Sequence, residues 1–470
     1  MLHQAHRPAR TMKVVNPAAP STVVAEVAMT EPSDLPAIVD RARAGFEVWR
    51  KVPMAERVQR LETFFAAIAE AAGEIAAAIT REQGKPIREA RAETLKAVSE
   101  ARAMAAHGMS VGTQGVASAR PGVRNMVVRR PRGVIGAITP WNFPILTPMR
   151  KIAPALVFGN AIILKPSEFT PSAALIVEAL AARHLPDGLV QVVVGEGPLG
   201  AALCRSGLEG ITFTGSIGVG RKVAEAAADQ LAEVSLELGG KNAAVVNDVA
   251  DMDKAVGAIV GAAMQCAGQR CTAVSRVIVA EEIADELVEA LRRRCAAFRI
   301  GDGMADDTDI GAITTDGQLA KVAEMVEEGR AAGATLVLGG ARCEVADRPD
   351  GRFYAPTIFD HVTPEMRIAR EEIFGPVISV MRYASFDDAL AIVNGTPYGL
   401  TSALFSNRND LINRFIDEVK SGMIHINHGT VPDSHMPFGG IGESGLGSYS
   451  VGASAAAFYT TEHAIYNQYS

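Results

Sequence analysis

Residues 210–230, GITFTGSIGVGRKVAEAAADQ, run from a short β-rich segment through a Gly-Ser turn into a stretch with helical periodicity. A strand that ends in Gly-Ser and opens a helix aims free backbone N–H groups and a hydroxyl at any anion placed there. The glycines stand at Gly215, Gly218 and Gly220, outside the G-x-G-x-x-G order, so the segment reads equally well as a tight strand-to-helix turn. Its neighbours decide the fold. GVIGAITP (133–140), NAIILKP (160–166) and LVQVVVG (189–195) are further β-rich runs closed by Gly or Pro, and helical stretches such as PSAALIVEALAARH (171–184) separate the last pairs. Strand–helix alternation at this interval predicts βαβ units, a parallel sheet and helices on both faces.

The alternation repeats after Lys241, with NAAVVN (242–247), SRVIVA (275–280), TLVLGG (335–340) and VISVMRY (377–383) spaced by helices at 282–297 and 317–332. A second α/β domain follows, hinged at Gly239 and Gly240. Residues 55–82 place Val58, Leu61, Phe65, Ile68, Ile75 and Ile79 at helical steps, which predicts one amphipathic helix. Residues 112–131 and the tail AAAFYTTEHAIYNQYS (455–470) fit neither domain and read as exposed edges that a second subunit would cover.

With 470 residues, 48% apolar and 21% charged, the chain has room for two or three packed domains. A net charge of -7 argues against general nucleic-acid or anionic-membrane binding. No apolar run approaches the roughly 18 residues a span needs, and MLHQAHRPARTMKVV lacks the apolar core of a secretory signal. Five sparse cysteines, Cys204, Cys266, Cys271, Cys295 and Cys343, read as reduced thiols in a cytoplasm. The C-x4-C pair has no nearby His, so no metal is expected.

In QCAGQRCTAVS (265–275) the two cysteines take different readings. Helical periodicity over 253–267 puts Cys266 on a last helical turn, as a small core residue. Gly268 ends that helix, and Cys271 falls on a short connection where a thiol can be displayed and activated. Glu237, between Leu236 and Leu238 in a strand that reads as buried, is either a base whose pKa burial raises or an ion-paired core Glu. Asn142 in PWNFP has the rigid apolar frame of a preorganised donor, or is a satisfied loop residue. Lys165 and Glu168, just beyond a strand, can hold ribose hydroxyls or be surface charges.

PWNFP, KPSE, FTGS, ELGGK, GQRCTA, EEIFGPV, PYGL and PFGGIGESGLG, in that order from about residue 15 to the C-terminus, resemble the signature segments of NAD(P)-dependent aldehyde dehydrogenases. The resemblance implies an α/β fold with a Rossmann-like NAD-binding domain (1–111 and 132–240), a second α/β catalytic domain (241–435) and a small β oligomerisation element (112–131 and 436–470). It assigns Cys271 as nucleophile, Asn142 and the Cys271 N–H as oxyanion donors, and Glu237 as the base that activates water to hydrolyse the thioester. Relatives that acylate coenzyme A lack that Glu, so its presence favours a carboxylic acid product.

For the cofactor, the same resemblance points to Lys165, Ser167 and Glu168 at the adenosine ribose, and to Gly215 and Ser216 at the pyrophosphate. Trp141, Gly197 and Leu238 line the cleft, and Glu372 and Phe374 position the nicotinamide end. A carboxylate at Glu168 favours NAD, with NADP possible. Lys151 matches a lysine that in many members pairs, for proton relay, with a Glu of an Arg-Glu pair near the C-terminus. Here Ser448 and Tyr449 occupy those positions, which leaves Lys151 as relay or as structural residue.

Members acting on succinate semialdehyde similarly have Arg at the position of Arg150, and Arg270 is a second cation beside the nucleophile. Guanidinium suits a carboxylate, sulfonate or phosphonate, so a short aldehyde with an anionic far end is expected, unless Arg150 pairs with a protein acid. His428 and His435 fall in a segment that contributes to the substrate mouth. The alternatives are a broad aliphatic or hydroxy-aldehyde dehydrogenase, or a non-redox thiol acyl-transfer enzyme. A cytoplasmic homodimer or homotetramer, with no nucleic-acid or membrane partner, completes the expectation.

Overall fold

The computed structural model describes residues 10–469. Its first sheet is built on Val134–Ile138 and Ala161–Lys165, short apolar strands buried on both faces as parallel strands under helices must be. Across this sheet the strands lie in the order Gly445–Gly447, Glu233–Glu237, Gly210–Thr214, Val134–Ile138, Ala161–Lys165 and Val190–Val192. All neighbours are parallel except Gly445–Gly447, which runs antiparallel to Glu233–Glu237. The chain moves outward from Val134–Ile138 to Val190–Val192, then returns to lay Gly210–Thr214 on the other side of the first strand. That reversal opens a crevice beyond the carboxyl ends of the two strands, between residues 139–145 and the Gly215–Ser216 turn.

Between Glu237 and Ala243 the chain crosses into a second sheet. Its order is Thr335–Leu338, Thr357–Asp360, Val377–Tyr383, Arg276–Ala280, Ala243–Val246, Thr401–Phe405 and Met423–Ile426. Only Thr335–Leu338 is antiparallel. No single helix among the described residues is long and apolar enough to cross a membrane.

Three expectations are corrected. The single helix over 55–82 is two, Met54–Glu70 and Ala72–Gln83, bent by 60°. The bend at Ala71 lets both halves pack on Ile87–Ser110 and Ser172–His184, which a straight helix would overshoot. The second concerns the two exposed edges, which are each other's partner: Val123–Pro131 pairs along its whole length with Thr460–Gln468, from Pro131 opposite Thr460 to Val123 opposite Gln468. Alternating apolar residues on both strands supply the match. Third, residues 436–470 are not one unit, because Gly445–Gly447 returns to the margin of the first sheet. The hairpin of Thr11–Asn16 and Ala19–Ala28 also reaches beyond the first sheet, since the Pro17 carbonyl accepts from the Arg352 N–H at 3.0 Å.

Candidate active site

The helix Met252–Met264 stops short of Cys266. Cys266, Ala267 and Gly268 follow in the left-handed region, with φ of 57°, 52° and 70°. Side chains on Cys266 and Ala267 make this costly, roughly 1–2 kcal/mol per residue, so the turn persists only because its surroundings fix it. The Cys266 N–H donates to the Glu89 carboxylate at 2.8 Å. Gln269 donates its amide to the Cys266 carbonyl at 3.0 Å and accepts from the Thr314 N–H at 3.0 Å. A side chain at 268 would run into the Gly375 backbone. The turn sends Cys266 inward and presents Cys271, which is only partly covered, to a cavity between the two sheets. Cys266 is thus a turn residue, correcting the helix-end assignment. It is buried, yet its Sγ accepts from Gln83 Nε2 at 3.3 Å, so its setting is polar.

The cavity holds about 440 Å³ and brings together Cys271, Asn142 and Glu237. Asn142 Nδ2 donates to the Gln269 carbonyl at 2.9 Å, leaving its second N–H free. The Cys271 N–H likewise meets no backbone or side-chain acceptor among the described residues. Burial pushes the Cys271 thiol up to about 11; the Arg150 and Arg270 cations work against that rise, and the Glu237 and Glu372 carboxylates add to it. Cys271 therefore rests as a thiol.

Glu237 sits at the end of its strand, buried, and is not a solitary carboxylate. Its Oε2 accepts from Thr214 Oγ1 at 3.2 Å and lies 3.5 Å from Lys151 Nζ, while Oε1 accepts from the Ser450 hydroxyl. Lys151, fully enclosed behind it, has its pKa lowered by burial against the opposing charge of Glu237.

The two candidate substrate cations differ sharply. Arg150 is clamped by Glu100 in a buried two-point pair, Nε to Oε2 at 2.6 Å and Nη2 to Oε1 at 2.8 Å. Its free face covers the Phe438 ring at 4.0 Å. Arg270 donates to Gln265 Oε1 at 2.5 Å and Thr272 Oγ1 at 3.1 Å, its Nε is unpartnered, and no carboxylate among the described residues lies within ion-pair distance. Both line the cavity. Asn427, at φ 52°, turns the chain so that His428 stacks on His425 at 5.6 Å and lines an adjoining cavity of about 910 Å³, which shares Glu89, Gln265 and Val431 with the first.

Toward the first sheet the cavity is bordered by Trp141, Gly215, Ser216, Leu238, Glu372 and Phe374. Trp141 and Phe374 meet edge to face at 5.5 Å, and Phe374 is held at φ 59° while Gln318 donates to its carbonyl at 2.9 Å. Burial raises the pKa of Glu372, against the Gly240 N–H and the Lys321 and Lys241 cations. Lys165, Ser167 and Glu168 lie outside this cavity on the next strand end, with Lys165 Nζ 3.7 Å from Glu168. Gly197 opens the adjoining helix, Gly197–Leu203. A dinucleotide fits these residues: Ser216 caps the helix Ile217–Ala228 without using its side chain, and a Cβ at Gly197 or Gly218 would meet only open space.

The description "Aldehyde dehydrogenase family" matches residues 4–465. The chain belongs to this family. It is 36% identical to the alpha-ketoglutaric semialdehyde dehydrogenase of Bacillus subtilis over 97% of this chain and 94% of that one. With the alpha-ketoglutarate semialdehyde dehydrogenase of Haloferax volcanii it shares 36% identity over 98% and 96% of the two chains. Among solved structures, the NAD-dependent aldehyde dehydrogenase of Sinorhizobium meliloti superposes with a TM-score of 0.94 at 34% identity, covering 98% of this chain and 92% of that one. This aldehyde dehydrogenase oxidises an aldehyde to its acid with a nicotinamide cofactor.

Sequence reasoning missed four residues of this aldehyde dehydrogenase site. Glu100 neutralises Arg150, Lys85 holds the Asn142 backbone, Gln318 props Phe374, and Ser450 binds Glu237. Each acts through a contact with a distant part of the chain, so no local motif marks it.

Proposed function

We propose that this enzyme oxidises a short aldehyde bearing an anionic far end, a semialdehyde such as 2,5-dioxopentanoate or succinate semialdehyde, with NAD as acceptor. The observation that carries the reading is Arg270: a buried guanidinium beside the nucleophile, lining the cavity with no carboxylate partner among the described residues. Arg150 is already neutralised by Glu100 and contributes shape and the Phe438 contact rather than the anchor. The names of the relatives, which describe semialdehyde dehydrogenases, point the same way.

In the proposed sequence Cys271 yields its proton to the Glu237 carboxylate, which releases it to solvent, and its sulfur attacks the aldehyde carbon, giving a thiohemiacetal. The oxygen of that intermediate is held by the free Asn142 N–H and the Cys271 N–H. When bound beside Trp141, Glu372 and Phe374, a nicotinamide cofactor would supply the two-electron acceptor that oxidation to the thioester requires. Glu237 then takes a proton from water as its oxygen attacks the thioester, releasing acid and Cys271. Lys165, Ser167 and Glu168 would hold the adenosine ribose; the Glu168 charge favours a 2′-hydroxyl over a 2′-phosphate. The free margin of Thr460–Gln468 supports assembly into a homodimer or homotetramer, and the scarcity of cysteines supports a cytoplasmic setting.

The test is absorbance at 340 nm with a panel of succinate semialdehyde, 2,5-dioxopentanoate, glyceraldehyde 3-phosphate, lactaldehyde and plain aliphatic aldehydes. Anionic aldehydes are expected to lead in kcat/KM. A neutral aliphatic aldehyde at the head of the ranking would overturn the substrate class.

A further inference from the structure

The last turns of the chain are fastened to the strand that carries Glu237. Gly445 pairs with Glu237 and Gly447 with Ser235 in antiparallel register. Gly447, at φ 81°, packs so closely on the Val234 carbonyl that only glycine fits. Ser235 Oγ then donates to the Ser448 carbonyl at 2.8 Å, and Val451 bridges to Phe438. Between those anchors Tyr449 turns away against Gly439 and Gly422, and Ser450, 1% exposed, points its hydroxyl at Glu237 Oε1. The residue that the segment delivers to the base is a neutral donor.

We propose that Ser450 is the positioning residue of the hydrolytic base: its hydroxyl fixes the Glu237 carboxylate beside Lys151, in the orientation from which it takes a proton from water. This rests on the reading of Glu237 as the base. Glu237 Oε1 is occupied by Ser450, and Oε2 is shared by Thr214 and Lys151. As the water oxygen bonds to the thioester carbon, its proton goes to Glu237 and the carbonyl electrons move to the oxygen facing Asn142. Collapse breaks the C–S bond and leaves Cys271 as thiolate, which takes the remaining proton of the acid. Glu237 then releases its proton to water in the emptied cavity and is a carboxylate again.

The ionisable groups facing Glu237 are Lys151 and Arg150 from the helix Leu146–Val157, Cys271 from the nucleophile loop and Tyr459 from the last helix. Ser450 is the neutral donor among them, and removing its hydroxyl frees Glu237 Oε1 to turn away from the water it must deprotonate.

The experiment forms the acyl-enzyme in a single turnover with NAD and succinate semialdehyde, quenches in acid, and follows the Cys271 adduct by intact mass from pH 5.5 to 9.5. Ser450→Ala is expected to slow hydrolysis about tenfold, with adduct formation unchanged. Ser450→Thr, which restores the hydroxyl, should return the rate; Ser450→Cys provides a weaker donor of similar size if the alanine variant does not fold. Hydrolysis at the wild-type rate in Ser450→Ala, or in Ser450→Cys where alanine does not fold, overturns the proposal. Glu237→Gln separates the two readings: if it hydrolyses its adduct normally, the base itself is misassigned, whereas a stalled Glu237→Gln beside a normal Ser450→Ala condemns Ser450 alone.

Discussion

Lys85 Nζ, enclosed with Glu93 at 2.7 Å, donates to the main-chain oxygen of Asn142 at 2.7 Å. A buried ion pair therefore anchors the loop whose side chain faces the nucleophile. Removing one member leaves a buried charge alone, which costs about 3–5 kcal/mol. Lys85→Met should lower the urea midpoint accordingly. Among the molecules that stay folded, kcat should fall more than KM rises, because the loop carries an oxyanion donor. An unchanged midpoint would show that the pair does not brace the fold.

Cys271 should be slow to alkylate in the enzyme without cofactor. With its pKa pushed up to about 11 by burial, the thiolate is a small fraction at pH 7 and grows about tenfold per pH unit below that value. Inactivation by iodoacetamide should climb steadily from pH 6 to 10. A plateau near pH 7 would contradict the thiol resting state.

Arg270 and Arg150 should behave differently when truncated. Arg270→Ala removes the unpaired cation and should cut kcat/KM for anionic aldehydes by one to two orders of magnitude, about 1.5–3 kcal/mol, while sparing neutral ones. Arg150→Met leaves the buried Glu100 with only Lys96, 4.0 Å away, so its main effect should be lost stability, read by thermal denaturation. Equal losses for charged and neutral aldehydes in Arg270→Ala would remove it as the anchor.

Glu168 should set the choice of dinucleotide. Its carboxylate lies beside Lys165 at the strand end, where a 2′-phosphate would meet like charge. Glu168→Gln should raise kcat/KM for NADP about tenfold at low salt, and that gain should shrink as salt screens the site. No change in the NADP/NAD ratio would place the ribose elsewhere.

Most strands of the first sheet and four of the second were legible because buried parallel strands write themselves as short apolar runs closed by Gly or Pro; Thr357–Asp360, Thr401–Phe405 and Met423–Ile426 were not. The bend at Ala71 was not, since no Pro marks it and packing alone imposes it. Tail pairing escaped for the same reason: Thr460–Gln468 finds Val123–Pro131 across most of the chain, beyond the reach of local periodicity. Cys271, Asn142 and Glu237 stood out through their motifs. The state of Arg150 depended on Glu100, and that of Glu237 on Ser450, both distant in sequence.

Gly268 packed on Gly375 has a consequence for how this catalytic centre can be altered. The nucleophile turn and the loop that carries Glu372 and Phe374 touch backbone to backbone, with no side chain between them to absorb a change. They behave as one interlocked part, so an engineer grafting residues 265–271 from a relative must graft 372–376 with them. A graft of one alone would pit two mismatched backbones against each other at the point where sulfur and nicotinamide have to meet.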